Sequence, residues 1–558
     1  MRPTFKHGKK YLIGLLGGIS LMFFIQAKEQ DSFFELTKNM EVFTSLFKEL
    51  NTYYVDPIQP GKIVKTGIDA MLNELDPYTN YITEEDIEDY RFQTTGKYGG
   101  IGSTVRKKDD YIAIGEPYEN SPVIKAGLKA GDLIIEIDGH STKGKEIEDV
   151  SKFLKGSPGT QLKVKIREAI TGAESVKTIT REEINVSSVP YSGMVGPNNE
   201  YAYVRLSQFT ERCGSMLRAA YDSLKRANPN TKGVILDLRY NPGGLLDEAV
   251  NICNIFMNGG QLVVSTKGKN EEWDKEYKTS GTPWDEKIPV TILINRNSAS
   301  ASEIVAGTMQ DLDRGVVIGQ RSFGKGLVQT TRNLSFNAKL KVTTAKYYTP
   351  SGRCIQALDY THRNEDGSVG EIPDSIKTKF KTKSGRTVMD GGGIDPDIKT
   401  ESKEAIRIIS TLNSKSFVFD YATQYVSKHP SIASAKDFTL SDAEFDDFVK
   451  WLDTKDYSYK TKTEEALVKF KEVAEKENYY DAIKKDFETL QHTLSHDKMQ
   501  DLLKNKKEIK RLLQDEIITR YYFQRGRLQN QLMDDDELKE AIKVLADPAR
   551  YNSILAGK

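Results

Sequence analysis

The sequence predicts an α/β core of repeated strand–helix units, preceded by a small glycine-rich β unit and flanked by helical regions. Three observations predict it. Short apolar runs at Val234–Leu238, Val290–Ile294 and Val316–Ile318 read as buried strands of a largely parallel sheet, because nearly every position in them is apolar. From Lys97 the texture changes to glycines and short alternating runs. Residues 30–95 and 401–558 instead carry apolar positions at helical spacing.

In chain order, Arg2, Lys6, Lys9 and Lys10 precede the apolar run Tyr11–Ile25, so residues 1–27 have the form of a secretory signal. The run is short for a spanning helix of ~20 residues, and Ile25 departs from the small residue usual two places before a cut after Ala27. Export is the expectation, with an uncleaved anchor left open. Residues 28–95 form a helical region: Phe43, Leu46, Phe47 and Leu50 mark one stripe, and Val64, Ile68, Met71, Leu72 and Leu75 mark another that stops at Asp76-Pro77.

Residues 96–183 hold the β unit, with Tyr98-Gly99-Gly100-Ile101-Gly102, then Ser121-Pro122-x-x-x-Ala126-Gly127-Leu128 and Gly131-Asp132, a helix near Ile147–Leu154 and the alternating Leu162, Val164 and Ile166. Residues 184–400 hold the α/β core. There Val234–Leu238 leads to Asn241-Pro242-Gly243-Gly244 and a helix with Leu245, Ala249, Ile252, Cys253 and Phe256 on one face. Residues 401–558 are charged and helical; Ile509, Leu512, Leu513, Ile517 and Tyr521 mark one stripe, which serves a lid, a partner-binding arm or a dimer interface equally well.

The chemistry concentrates in Asn295–Gln329. A buried strand ends at Asn295, Ser298-Ala299-Ser300-Ala301-Ser302-Glu303 opens a helix, and a second strand leads to Gly324-Lys325-Gly326. A serine hydroxyl becomes a nucleophile when a base takes its proton, and a lysine is that base only when burial or a nearby cation lowers its pKa. Backbone N–H groups at a helix start suit a developing oxyanion, and Ala301 is placed to supply one. On spacing alone, an N-cap serine and a surface lysine is the readier description of the same residues.

This segment resembles the catalytic region of the carboxy-terminal processing proteases, or tail-specific proteases. The resemblance implies Ser300 as nucleophile, Lys325 as general base and Gln329 as the residue that orients it. It further implies a core of the crotonase/Clp-protease type, with Gly243 or Gly244 as the second oxyanion donor beside Ala301. The β unit resembles a PDZ domain, inserted ahead of that core. Its loop Gly99, Gly100, Ile101 and Gly102 would then offer N–H groups to a terminal carboxylate while the peptide adds to a sheet edge. The resemblance spans roughly residues 40–400.

Other readings fare worse. Gly319–Lys325 fits seven positions of a phosphate-binding loop, but Gly326 stands where Ser or Thr should hold magnesium, and Leu327–Thr331 reads as strand rather than helix. None of His7, His140, His362, His429, His492 and His496 sits in a triad motif, and no H-E-x-x-H or Cys/His cluster suggests a metal. Cys213, Cys253 and Cys354 lie far apart, which argues against a disulfide framework. With 80 basic and 80 acidic residues the chain shows no bias toward nucleic acid, and a mean hydropathy of −0.53 excludes a polytopic membrane protein. The expected partners are protein or peptide substrates with accessible apolar C-termini; membrane attachment through the N-terminus, a homodimer and an adaptor are left open. No cofactor is expected. A non-catalytic scaffold that binds protein tails is the competing function.

Overall fold

The computed structural model describes residues 33–401, 406–494 and 498–558; the signal-like residues 1–27 lie outside them. The chain divides into two compact units, residues 1–81 and 82–558. In the first, a helix over residues 33–53 leaves Phe43 and Leu46 exposed, and the helix Pro60–Asn73 carries proline in its first turn, where no N–H is missed. The expected stop at Asp76-Pro77 is a turn in which Asp76 Oδ1 accepts N–H bonds from Tyr78 and Thr79.

In the second unit, the small β region is an antiparallel sheet whose strands run Ser103–Lys108, Tyr111–Pro117, Leu133–Ile137, Gln161–Arg167 and Glu174–Thr180 in spatial order. The helix Ile147–Leu154 closes its core against Ile112, Ile114, Val164 and Ile166. Strand Ser103–Lys108 is an edge of this sheet, and the strand carries Arg106 and Lys108 toward the C-terminal helices. There Lys108 pairs with Asp420 at 2.7 Å and the Arg106 guanidinium lies 4.1 Å above the Phe419 ring.

The α/β core is built on a six-stranded sheet in the order Tyr191–Val195, Tyr201–Arg205, Gly233–Asp237, Val290–Ile294, Val316–Gly319 and Ile398–Lys399. Only the first pair is antiparallel. Alternation explains the unbroken apolar runs. Val234, Leu236, Ile292 and Ile294 face the helices Cys213–Ala227, Leu246–Phe256 and Ala301–Asp311, while Ile235, Leu293, Val316 and Ile318 face the other way. That second face is covered by the end of the C-terminal region, through Leu538, Ala541, Val544 and Tyr551. Burial at about 25 cal/mol per Å² makes such a two-sided sheet the main apolar store of the unit.

The C-terminal region is therefore a layer of the fold. Its own core joins Ile408, Phe445, Phe448, Ile509, Leu513 and Ile517, and its helices Asp536–Ala546 and Pro548–Ala556 lie on the sheet. A second sheet pairs Leu327–Asn333, Lys339–Tyr348, Leu262–Gly268 and Lys275–Lys278, all antiparallel. It carries the strand that follows Lys325. All three cysteines are free, and Cys213 and Cys253 are buried.

Candidate active site

The strand Val290–Ile294 ends in a turn that is stitched to its neighbour before the helix begins. Ser298 Oγ donates to the Leu238 carbonyl at 2.8 Å, and the Asn241 carbonyl accepts from Ala299 N–H at 3.0 Å and from Ser302 Oγ at 2.9 Å. So constrained, Ser300 takes φ 55° and ψ −115°, a region that costs a non-glycine residue on the order of 1–3 kcal/mol. Its side chain makes no capping hydrogen bond, although it precedes the helix Ala301–Asp311. Ser300 is still the N-cap residue by position, paired with Glu303 in a capping box through its own N–H, and it lines the cavity described below.

The glycine pair comes up against this corner. A Cβ on Gly243 would lie 2.7 Å from Ser300 Cβ and 2.8 Å from Ala301 N, and Gly243 has φ +95°, so only glycine fits. The pair is not interchangeable as donors. Gly243 N–H is spent on Asn241 Oδ1 at 2.9 Å, whereas among the described residues neither Gly244 N–H nor Ala301 N–H meets an acceptor.

Beneath Ser300 lies a group that sequence reading passed over. Glu303 is fully buried, and its carboxylate accepts four bonds: from Ser300 N–H (2.7 Å), Lys325 N–H (2.9 Å), Gly324 N–H (2.7 Å) and Ser322 Oγ (2.6 Å). One side chain thus ties the main chain of the serine to that of the lysine. Burial pushes its pKa up to about 7 against the opposing pull of those donors. The segment resembling a phosphate loop is wrapped round this carboxylate, and a strand follows it, so the nucleotide reading is closed.

Lys325 is held from both sides. Gly326 N–H donates to Gln356 Oε1 at 2.7 Å, and the Gly326 carbonyl accepts from Tyr347 N–H at 2.9 Å. Ser300, Lys325, Gln329, Gly243 and Gly244 all line one cavity of about 490 Å³. Its apolar wall includes Leu246, Ile304 and Leu327. Gln329 Nε2 donates to Thr343 Oγ1 at 3.1 Å across the strand pair.

Two competing sites lose their case. A larger cavity, about 960 Å³, lies between the core and the C-terminal helices, but among the described residues no lysine, histidine or cysteine lines it. His362 does contact Asp359, with Nδ1 2.7 Å from Oδ2, yet its side chain is 85% exposed and lies outside the serine cavity.

The glycine turn of the β unit departs from expectation. Gly99 and Gly100 belong to the strand Lys97–Gly100, paired with Glu183 and Glu182 of the strand Glu182–Asn185, so the four residues are not one open loop. Ile101 is buried and its carbonyl accepts from Val123 N–H. Only Gly102, at φ +77°, turns the chain.

Comparison with known proteins agrees with this layout. Residues 200–362 match the family described as Peptidase family S41, residues 114–168 a PDZ domain, and residues 408–545 the C-terminal helical domain of probable PDZ-proteases. A carboxy-terminal-processing protease of Bartonella bacilliformis is 37% identical over 355 residues, 63% of this chain and 80% of the relative. The chain belongs to peptidase family S41. Within that family it is also similar to a probable CtpA-like serine protease of Staphylococcus epidermidis, 36% identical over 62% of this chain and 72% of the relative. Among solved structures, a photosystem II D1 C-terminal processing protease is 25% identical, with a TM-score of 0.35 over 64% of this chain and 92% of that one. As an S41 peptidase with a PDZ domain and a helical C-terminal domain, the protein is a serine-type C-terminal processing peptidase, and the scaffold reading is set aside.

Proposed function

We propose that this S41 peptidase is exported, recognises protein carboxyl termini through its PDZ domain, and cleaves upstream of them with a Ser300–Lys325 dyad. The observation that carries the dyad is Ser300 itself: strained in its backbone and sharing one cavity with Lys325. Ser300 Oγ attacks the peptide carbonyl as neutral Lys325 Nζ takes its proton. The C–N bond then breaks, the lysine returns that proton to the leaving amine, and water hydrolyses the acyl ester by the same route. Ala301 N–H and Gly244 N–H hold the oxyanion, because Gly243 N–H is already engaged. Gln329, lining the same cavity, orients the lysine.

The parallel sheet with a serine at its carboxyl edge supports a core of the crotonase/Clp-protease type. For export the support is the basic start and apolar run of residues 1–27. No described helix is long and apolar enough to cross a membrane. The PDZ match and Gly102 at its turn support tail binding, with Gly99, Gly100 and Ile101 shaping the strand that leads into it.

The test is digestion of an unstructured protein with an apolar C-terminus, chelator present, by the wild type and by Ser300→Ala. Cleavage lost only in the variant is the expected result; equal cleavage by both removes Ser300 from the mechanism. Amidating the substrate's C-terminus should weaken binding, and unchanged affinity would point to internal recognition instead.

A further inference from the structure

The serine cavity holds a second lysine that the dyad does not use. Lys341 lies on the strand Lys339–Tyr348, opposite Thr331, while Thr343 lies opposite Gln329. Positions two apart on a strand share a face, so Lys341 stands on the face of Gln329 and roughly 7 Å farther along the ribbon. Thr330 and Thr344 hydroxyls meet on the opposite face, which fixes the alternation. Lys341 and Thr331 both line the cavity, and the Tyr90 hydroxyl reaches Thr331 Oγ1 at 3.0 Å from the far wall.

What surrounds Lys341 is unusual for a cation. No aspartate or glutamate lines the cavity among the described residues, and Lys341 has neither a carboxylate nor a hydrogen-bond partner there. Three buried guanidiniums behave differently: Arg353 holds Asp311, Arg386 holds Asp313 and Asp397, and Arg239 holds Asp237. Partial burial of an uncompensated ammonium is costly, and its pKa is depressed by desolvation alone. A charge left incomplete inside a substrate cavity has its complement in what the cavity binds.

We infer that Lys341 is a substrate-carboxylate subsite: it takes one carboxylate of the bound chain, an Asp or Glu side chain or a terminal α-carboxylate, a few residues from the bond that Ser300 attacks. This rests on the Ser300 reading and adds a specificity element to it. The cavity's apolar wall receives one side chain, and the lysine fixes the register of the peptide by its charge. Because the subsite lies inside the peptidase domain, its preference is separate from tail binding by the PDZ domain.

The test uses the full chain and peptides blocked at both ends, with Glu or Gln placed at each position from four before to four after the cut. A second series ends in a free carboxylate one to four positions after the cut. For wild type, kcat/KM should favour the charged member at one register by about tenfold or more; the series that shows it identifies side chain or chain end as the source. Lys341→Met should bring that ratio to about one, and Lys341→Glu should reverse it toward a Lys-bearing peptide. Binding of the same pairs to Ser300→Ala, with and without Lys341→Met, gives the ratio even if turnover is absent. No cleavage by wild type with the binding preference intact would sink the dyad and keep the subsite. An unchanged Glu/Gln ratio in Lys341→Met overturns the subsite while leaving the protease reading standing. A shifted pH profile at unchanged ratio also overturns it, since Lys341 would then act on Lys325 alone.

Discussion

Asp237 and Glu303 are two fully buried carboxylates of one domain that titrate in opposite directions. For both, burial raises the pKa. At Asp237 the guanidinium of Arg239, bonded at 2.6 and 2.9 Å, outweighs burial and brings the pKa to about 2. At Glu303 the partners are three N–H groups and a hydroxyl, which carry dipoles but no net charge, and burial prevails at about 7. The difference separates two uses of a buried charge. Asp237 and Arg239, joined by Asp535 and Glu537, pin the C-terminal helices to the core sheet. Glu303 holds the serine and lysine segments, and its ionisation is pushed up to about pH 7.

Four experiments break or sharpen that contrast. Arg239→Met strands three carboxylates and should destabilise the fold by about 3–5 kcal/mol, read by denaturant unfolding of the full chain. A loss below about 1 kcal/mol would show that the C-terminal helices do not depend on this cluster. Glu303→Gln replaces two of four acceptor bonds with a donor clash, so kcat/KM should fall on the order of 10–100-fold, about 1.4–2.8 kcal/mol, with the folded signal retained.

The third experiment is pH dependence. Glu303 in the folded state keeps a proton between pH 4.5 and about 7 that the unfolded chain has released, so its contribution to stability declines as pH rises across that window. Activity should rise across the same window as the carboxylate ionises and tightens on its donors. Glu303→Gln should flatten its share of both slopes. For Asp237 the sign is opposite: its stabilisation is complete above pH 3.8 and is lost as pH falls through about 2. Denaturant midpoints from pH 2 to 8 measure both. The smallest effect belongs to Lys341→Met, which removes a desolvated cation and should raise stability by up to about 1 kcal/mol; a comparable loss would mean that the lysine has a structural partner.

Local patterns made part of this legible in the sequence. The apolar runs marked the sheet, and the fact that they are apolar at every position implied cover on both faces. Nothing local said that residues 536–556 supply the second cover, because that pairing joins segments more than 200 positions apart. Ser300, Lys325 and Gln329 were visible because each lies in a short motif, and they do line one cavity. Glu303 was missed because an acid in the first turn of a helix ordinarily faces water; its burial depends on residues 322–325 folding over it. Lys341 read as one member of an alternating strand, and alternation does not say which face meets the cavity. At Gly99–Gly102 the glycines suggested a continuous loop, whereas two of them are strand residues packed too closely for a Cβ.

The single carboxylate under the dyad also sets how the site fluctuates. Ser300 and Lys325 sit on segments separated by the helix Ala301–Asp311 and the strand Val316–Gly319, yet both main-chain amides end on the same Glu303 oxygen. Motion of either segment therefore carries the other, and the spacing between nucleophile and base is steadier than the position of either. Amide hydrogen exchange would register this as one opening event shared by Ser300, Gly324 and Lys325, with a common free energy that Glu303→Gln splits into separate, faster openings.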